Sequence, residues 1–400
     1  MTPTPALFPD LLDRLRQALP QDHERATLLG RLWLPGSGAL PVTPHQGRLL
    51  DLTPLAPTCS ELLERPQPAQ AIAQAVAAGA LRAVADLATV LANSDEDRRQ
   101  PGQPWLLAPC DLQAIKASGV TFVASLLERV IEEQARGEPA RAAALRSELH
   151  GILGTDLGAI VPGSPEAAEV KRVLLARGAW SQYLEVGIGP DAEIFTKVPV
   201  LSAVGCGAHV GIHPRSEWNN PEPEIVLTVN SQGRTLGAAL GNDVNLRDFE
   251  GRSALLLGKA KDNNGSCAIG PFIRLFDAHF GIDDLRACSL RLEVDGPDGF
   301  AWQGEGSMRG ISRDPLDLVA QTINANHQYP DGFMLFLGTM LAPTQDRRGA
   351  GQGFTHEVGD RVCVSTPALG TLVNRVRHSC DVAPWTFGIA ALMRQLRHAA

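Results

Sequence analysis

Residues 219–243 have the sequence NNPEPEIVLTVNSQGRTLGAALGND, and this stretch indicates both the fold and the chemistry. The run Ile-Val-Leu-Thr-Val-Asn after Glu224 is rich in β-branched residues and predicts a strand. The Ser-Gln-Gly sequence at 231–233 predicts a hairpin turn, and a two-residue turn at Gln232-Gly233 would place Glu222 opposite Asp243 on the return strand. Because side chains two apart on a strand share a face, three carboxylates are expected at one end of this hairpin.

Three crowded carboxylates repel one another and raise each other's pKa values unless a cation lies among them. Oxygen ligands with no histidine pair nearby favour a hard divalent ion, with Mg²⁺ first and Mn²⁺ or Ca²⁺ next. An alternative is that Glu222 and Glu224 form the solvated face of an antiparallel sheet, with Asp243 capping a following helix. The Asn-Asn and Gly-Asn pairs at 219–220 and 241–242 favour the metal site, because such turn residues let the backbone approach it closely.

The composition is that of a globular protein, since 44% of the 400 residues are hydrophobic and 20% are charged. The formal net charge of −8 disfavours a nucleic-acid partner, because phosphate binding needs a basic face. The longest apolar stretch, residues 71–92, is interrupted by Arg82 and Asp86, so no membrane span is expected. Nothing at the start resembles a secretory leader, and the seven cysteines form no CxxC motif, so we expect a cytoplasmic protein with reduced thiols.

The order of the predicted elements indicates an α+β fold in two parts. An alanine-rich segment at about 70–92 predicts one helix, and the polar run 93–102 predicts the end of a small first domain. We therefore assign 1–105 to an N-terminal α+β domain and 106–400 to a catalytic domain.

Helices are predicted early in the second part. Residues 123–137 and 140–152 each predict one, and Ser164-Pro165 predicts the start of another, with serine as the N-cap. On the first of these helices, Ser125 and Glu128 lie one turn apart and face the same side. Glu128 is a candidate general base; an ordinary charged helix residue is the alternative.

Other polar residues are candidates for substrate contact. Lys261 could bind a substrate anion that separates it from the cation, or be a surface lysine. Lys197, on a predicted strand, either reaches the same pocket or extends to solvent. Thr339 follows an apolar strand and either contacts a ligand or forms part of a plain turn. Arg247 either contacts the ligand or pairs with Asp248.

These segments together resemble the fumarylacetoacetate hydrolase family over residues 111–400. The motifs that carry the resemblance are Glu222-Pro-Glu224, Gly241-Asn-Asp243 with Arg247-Asp248, Lys261 with Ser266-Cys267, Gly338-Thr339, Gly359-Asp360 and Gly370-Thr-Leu-Val-Asn374. A closer resemblance, to the bacterial 2-keto-3-deoxypentonate dehydratase branch, spans nearly the whole chain. It rests on Gly119-Val-Thr-Phe122, Leu127-Glu-Arg-Val-Ile-Glu-Glu133, Trp180-Ser-Gln-Tyr-Leu-Glu185 and the run 241–272.

The resemblance implies a mixed β-sandwich roll for the catalytic domain, in a homodimer or homotetramer. It implies that Mg²⁺ chelates the C1 carboxylate and C2 keto oxygen of a 2-oxo acid and is held by Glu222, Glu224 and Asp243. It also implies that Lys261 contacts the pyruvyl head of this substrate. Further substrate contacts are expected from Phe122, Lys197, Arg247 and Thr339, with Thr339 at the substrate carboxylate.

One departure from the family pattern bears on the reaction. The C–C hydrolases of the family carry a histidine–glutamate pair, whose histidine aligns with Ser125 and whose glutamate aligns with Glu128. Without the histidine, activation of water for C–C cleavage is harder, so an eliminating enzyme is expected. Glu128 would move the proton at C3, Ser125 or a water would aid the leaving C4 hydroxyl, and Lys261 would stabilise the enolate charge.

The expected function is metal-dependent dehydration of 2-keto-3-deoxy-D-pentonate, the xylonate or arabinonate derivative, to 2,5-dioxopentanoate in non-phosphorylated oxidative pentose catabolism. One alternative is a C–C hydrolase or decarboxylase of an acylpyruvate-like 2-oxo acid on the same scaffold. Another, from a different class, is a non-catalytic sugar-acid binding protein.

Overall fold

The computed structural model of the chain describes residues 11–122, 126, 160–176, 178 and 180–399. Within them the strands are β1 (Leu28–Leu34), β2 (Gly38–His45), β3 (Arg48–Asp51), β4 (Ala83–Asp86), β5 (Trp105–Leu107), β6 (Ala114–Gly119), β7 (Glu193–Val198), β8 (His209–Ile212), β9 (Pro223–Val229), β10 (Thr235–Asp243), β11 (Cys267–Leu275), β12 (Ser289–Asp295), β13 (Ala301–Ser307), β14 (Phe333–Phe336), β15 (Arg361–Thr366) and β16 (Gly370–His378). The α-helices are α1 (Leu11–Leu15), α2 (Cys59–Leu63), α3 (Pro68–Ala77), α4 (Leu87–Ser94), α5 (Pro165–Ala176), α6 (Gln182–Ile188), α7 (Arg247–Glu250), α8 (Leu257–Lys261), α9 (Ile282–Arg286), α10 (Pro315–Thr322) and α11 (Ile389–Ala399). Short 3-10 helices cover Ala254–Leu256 and Met308–Gly310.

Two sheets dominate the described residues. The larger has the strand order β4-β3-β2-β1-β11-β10-β9-β14-β6-β7, with β5 paired to β1, and the smaller has the order β13-β12-β15-β16-β8. Most neighbouring strands are antiparallel, whereas β14 with β6 and β16 with β8 are parallel. Leu227 and Leu240 of the larger sheet share one hydrophobic core with Leu292 and Leu372 of the smaller sheet. The predicted α+β class is confirmed.

The hairpin of β9 and β10 has the predicted register. The N–H of Asp243 donates to the carbonyl of Glu222 over 2.9 Å. The turn closes over three residues, 231–233, and Gly233 has a φ of +76°, a conformation that glycine adopts without strain. A bulge between Thr235 and Gly237 then adds one residue to β10. The bulge offsets the longer turn, so the acidic ends of the two strands stay aligned.

The first hundred residues extend the larger sheet. Strand β1 pairs with β11, with Leu28 opposite Arg274 and Leu29 opposite Ile273. Strands β1–β5 therefore lie in the same sheet as the acidic hairpin. The division of the chain into domains near residue 105 stays a prediction.

The single helix predicted at about 70–92 is wrong. Helix α3 ends at Ala77, and Gly79, with a φ of +61°, turns the chain towards β4. The side chain of Asp86 then accepts a hydrogen bond from the N–H of Thr89 over 2.9 Å and starts α4 as its N-cap. The helical propensity of alanine is overridden here by a left-handed glycine and a capping carboxylate.

Helix α5 begins at Pro165, as predicted, and the Oγ of Ser164 accepts from the N–H of Ala167 over 3.2 Å. The helices predicted at 123–137 and 140–152 lie outside the described residues, apart from Leu126. In the part of the chain that the structure describes, no helix has the length and apolar character needed to cross a membrane.

Candidate active site

The acidic end of the hairpin forms a buried cluster of carboxylates. Glu222 directly precedes β9, Glu224 is its second residue and Asp243 ends β10, so antiparallel pairing brings the three together. One oxygen of each side chain lies within 4.8 Å of the others. Each residue is at most 2% exposed, which excludes the alternative of a solvated acidic face.

Glu224 is held in place from a third strand. Its carboxylate accepts from the N–H of Gly338 over 2.7 Å and from the hydroxyl of Thr339 over 3.2 Å, both in the loop after β14. Burial, and then the charges of Asp243 and Glu222, raise the pKa of Glu224 well above its usual value. A cation bound among these carboxylates would favour the ionised form of Glu224.

Lys261 brings positive charge into the cluster and is only 4% exposed, so the alternative of a surface lysine is excluded. Its ammonium pairs with Glu222 and lies 3.1 Å from Oδ2 of Asp243. Burial alone would lower the pKa of Lys261, but the charges of Asp243 and Glu222 outweigh it and raise the pKa above its usual value. Lys261 is therefore a permanent cation at neutral pH.

Lys197 is fully buried, so it does not extend to solvent. Its ammonium lies 2.7 Å from Oδ1 of Asp243. The same ammonium donates to the carbonyl of Val244 over 3.1 Å and to the carbonyl of Lys261. Asp243 thus has one lysine beside each of its two oxygens.

Asn245 links this cluster to a fourth carboxylate. Its Nδ2 donates to Oε1 of Glu222 over 3.0 Å and also to Glu250. Its main chain pairs with that of Asn220, so the residues that precede Glu222 and follow Asp243 are held together. The side chain orients one carboxylate of the cluster while the backbone fixes the two strand ends.

A cavity of about 30 Å³ opens on the cluster. Its lining consists of Ser118, Gly119, Val120, Glu193, Phe195, Glu222, Glu224, Asp243, Glu250, Leu257, Lys261 and Thr339. A water molecule needs about 10–15 Å³ of such a cavity, so there is room for an ion with one or two small ligands.

The donor set of this cavity suits a hard divalent cation. Its three convergent carboxylates offer oxygen ligands, and the described lining contains neither histidine nor cysteine. Mg²⁺, Mn²⁺ and Ca²⁺ prefer such ligands, whereas zinc sites in proteins use mainly nitrogen and sulfur. The residues present therefore fit the predicted class of metal.

Sequence analysis missed part of the lining. The missed residues with polar or aromatic side chains, or with unusual backbone, are Ser118, Val120, Glu193, Phe195 and Glu250. The buried Oγ of Ser118 has no hydrogen-bond partner among the described residues, and Val120 has a φ of +55°, which is rare for a β-branched residue. Strand alternation could have found Glu193 and Phe195, because they share a face with Lys197.

The remaining predicted site residues do not line this cavity or fall outside the described residues. Phe122 is buried in the main core and bridges to Ile311, and the guanidinium of Arg247 lies 5.5 Å from the ring centre of Trp218. Ser125 and Glu128 lie outside the residues that the structure describes. The roles expected of these four residues stay predictions.

Comparison with known proteins shows which family the segment around this site is similar to. Residues 185–377 match the family model described as the C-terminal domain of fumarylacetoacetate (FAA) hydrolase. The resemblance to this family drawn from the motifs is therefore confirmed for the domain at residues 185–377. The matched range includes the acidic hairpin, both buried lysines and Thr339.

Two curated relatives carry names from the dehydratase branch. The 2-dehydro-3-deoxy-D-arabinonate dehydratase of Saccharolobus solfataricus is 30% identical over 185 residues, which cover 46% of this chain and 58% of the relative. The probable 2-keto-3-deoxyxylonate dehydratase of Haloferax volcanii is 27% identical over 194 residues, which cover 48% of this chain and 63% of the relative. The chain thus spans 58–63% of the length of these curated relatives.

A solved structure has a similar fold over most of the chain. It is a 2-keto-3-deoxy-D-arabinonate dehydratase complexed with magnesium and 2,5-dioxopentanoate. Its TM-score is 0.57 at 20% identity, with 88% of this chain and 99% of that chain covered. At this identity the likeness establishes the fold of the chain.

Proposed function

We propose that this protein is a metal-dependent hydro-lyase that converts 2-keto-3-deoxy-D-pentonate to 2,5-dioxopentanoate and water. The observation that carries the proposal is the buried Glu222, Glu224 and Asp243 cluster with Lys261 beside it. Both curated relatives have names of this activity, which supports the substrate class. Non-phosphorylated oxidative pentose catabolism is the corresponding pathway.

Mg²⁺ is the proposed cofactor, with Mn²⁺ or Ca²⁺ as substitutes. The ion would be held by Glu222, Glu224 and Asp243, whose oxygen atoms already converge. When bound, it would act as a Lewis acid towards a 2-oxo acid and make the C3 protons of the substrate more acidic. The magnesium complex of the fold relative supports this choice of ion.

The other residues would bind the substrate and handle its protons. The ammonium of Lys261, at the wall of the cavity, would stabilise negative charge that develops on the C2 oxygen. Thr339 would contact the substrate carboxylate while also holding Glu224. Glu128 would take the proton from C3, and Ser125 or a water would help to protonate the departing C4 hydroxyl. Loss of the C3 proton and the C4 hydroxyl leaves a double bond between C3 and C4. Loss of a proton from C5 and gain of one at C3 then give the C4–C5 enol, which tautomerises to the C5 aldehyde of the product.

Incubation of the purified protein with 2-keto-3-deoxy-D-pentonate and Mg²⁺ tests this function. We expect 2,5-dioxopentanoate to appear in the NMR spectrum, and chelation by EDTA to stop its formation. Release of pyruvate would indicate C–C cleavage instead, and loss of carbon dioxide would indicate a decarboxylase. Calorimetric binding of the sugar acid without turnover would indicate a binding protein.

A cytoplasmic homodimer or homotetramer is the proposed form of the enzyme. Light scattering coupled to size-exclusion chromatography measures its mass in solution. A monomer that turns over the substrate at full rate would contradict the proposed assembly and leave the proposed reaction intact.

A further inference from the structure

Lys197 occupies a place in the site that differs from that of Lys261. It follows Glu193 and Phe195 on the same face of β7, and those two residues line the cavity. Lys197 itself is fully buried and is absent from the described lining, whereas Lys261 belongs to it. The strand therefore carries Lys197 past the cavity and behind the carboxylates.

The ammonium of Lys197 contacts three oxygen atoms of the site. It forms an ion pair with Oδ1 of Asp243 at 2.7 Å and donates hydrogen bonds to the main-chain carbonyls of Val244, over 3.1 Å, and of Lys261. The carbonyl of Lys261 also accepts from the hydroxyl of Ser266 over 2.7 Å. These contacts of the Lys197 ammonium are therefore with parts of the site itself.

These contacts join three elements that carry the chemistry. Lys197 lies on β7, Asp243 ends β10 and Lys261 ends α8. The ammonium of Lys197 contacts both of the other residues, in addition to the direct pair of Lys261 with Asp243. Strands β7 and β10 are separated in the sheet by β9, β14 and β6, so no hydrogen-bond ladder between them can fix this arrangement.

We propose that Lys197 is a positioning residue that fixes one oxygen of Asp243 and the main chain at Lys261. In this role it aims the other oxygen of Asp243 at the cation and keeps the ammonium of Lys261 at the cavity wall. This replaces the expectation that Lys197 contacts the substrate. The inference rests on the proposed function only in taking Asp243 as a metal ligand.

The direction in which cation affinity changes when Lys197 is removed distinguishes a positioning role from a simple charge effect. If all five groups are ionised, three carboxylates and two ammonium groups give the cluster a net charge of −1. Removal of Lys197 makes the cluster more negative, so charge alone predicts tighter binding of a cation. Loss of positioning predicts weaker binding, because Asp243 is no longer held; supporting partners of metal ligands are typically worth about 10–100-fold in metal affinity.

The test is calorimetric titration of the apoprotein with Mn²⁺ alone, using Lys197→Met. We expect binding about 10–100-fold weaker than in the unmodified protein. The matched control is Lys116→Met, on the neighbouring part of the same sheet. The ammonium of Lys116 lies away from the cluster and donates to the hydroxyl of Thr196, with 3.0 Å between the two atoms. Equal or tighter Mn²⁺ binding by Lys197→Met would overturn the proposal, as would an equal loss in the control.

A second measurement covers the case in which Lys197→Met folds poorly. The double variant Lys197→Met with Asp243→Asn removes the carboxylate charge that the single variant leaves buried without its partner. We expect the double variant to have a higher melting temperature than Lys197→Met alone, since the two changes act on one interaction. Additive losses in melting temperature would contradict the proposed pairing.

Steady-state kinetics distinguishes a positioning role from substrate binding. At saturating metal, Lys197→Met should lower kcat and leave KM for the sugar acid nearly unchanged. A rise in KM with unchanged kcat would restore the substrate-binding role and overturn the proposal. The metal titration needs no substrate, so a wrong substrate assignment would leave its result standing.

Discussion

At the scale of single residues, five charged side chains share one buried space. A buried ion costs several kcal/mol in lost hydration unless it is paired and hydrogen-bonded. Glu222 has Lys261 and Asn245 as partners, and Asp243 has two lysines. Among the described residues, the hydrogen bonds to Glu224 come from neutral donors in the loop after β14. Burial and the charges of Asp243 and Glu222 raise the pKa of Glu224, so ionisation of this carboxylate would be favoured by a bound cation.

Glu222→Gln tests the ligand assignment. The amide keeps the size of the side chain but removes its charge, so we expect Mn²⁺ affinity to fall by about 100-fold or more, with turnover lost in parallel. Circular dichroism should show an intact fold. The matched control is Glu193→Gln, another cavity-lining glutamate, which should retain metal binding; equal losses in both variants would contradict the assignment.

Glu128→Gln tests the predicted proton transfer. Loss of a general base typically costs 10²–10⁴-fold, so we expect kcat to fall about 100-fold or more while Mn²⁺ affinity is unchanged. Glu132→Gln, a change one turn further along the same predicted helix, is the control and should leave kcat nearly unaltered. An unchanged kcat in Glu128→Gln would mean that Glu128 is an ordinary charged helix residue.

At the scale of elements, the loop before β15 supports the acidic hairpin. Arg347 pairs with Asp360 over 2.6 Å and 2.7 Å, and Nδ1 of His356 lies 2.9 Å from the same carboxylate. The N–H of His356 donates to the side chain of Asn219, which shortly precedes the first glutamate of the cluster. Arg347 also pairs with Asp298, in the loop between β12 and β13. A buried ionic group thus connects both sheets near the site.

Asp360→Asn should destabilise the protein strongly. Asp360 is fully buried, and breaking a buried pair by removing one partner typically costs about 3–5 kcal/mol. Asp298→Asn removes the partly exposed carboxylate from the same arginine and should cost only about 0–1 kcal/mol. Urea unfolding measures the loss in the free energy of unfolding for both variants. Similar losses would contradict the inference that the buried pair contributes more to stability than the partly exposed one.

The same carboxylate sets a dependence of stability on pH. Burial would raise the pKa of Asp360, but hydrogen bonds from His356 and Arg347 outweigh burial and hold the pKa below its usual value. A depressed pKa stabilises the folded state above the unfolded pKa, near 3.8, and this contribution is lost as the pH falls through the folded pKa. The free energy of unfolding should therefore fall more steeply on acidification in the unmodified protein than in Asp360→Asn; parallel curves would contradict this linkage.

At the scale of the whole molecule, the site draws on distant parts of the chain. The larger sheet carries strands from residue 28 to residue 336, and its core is shared with the smaller sheet. A ligand that binds only the folded state stabilises the whole folded assembly, because it shifts the equilibrium away from the unfolded chain.

Mg²⁺ should therefore raise the melting temperature. A ligand at 100 times its Kd contributes about 2.7 kcal/mol, which corresponds to several degrees in a calorimetric scan. EDTA should reverse the shift, and Glu222→Gln should show none. A shift of equal size in that variant would mean that Mg²⁺ stabilises the protein elsewhere.

The sequence by itself determined the acidic hairpin. The β-branched run, the turn residues and the two-residue spacing of Glu222 and Glu224 are local signals, and strand pairing across a short turn follows from them. These signals gave the register that brings Asp243 to the glutamates. The family motifs added Lys261 and Thr339, both of which lie at the cluster.

Only the tertiary structure decided the rest of the site. The pairing of β1 with β11, the contact of Lys197 with Asp243 and the position of Ser118 in the cavity each join segments far apart in the chain. Such contacts leave no periodic trace in the sequence, because they depend on the order of strands in the sheet and not on the residues beside each partner. The local pattern of residues specifies the face of a helix or strand on which a side chain lies. The packing of the whole chain specifies which residues that face contacts.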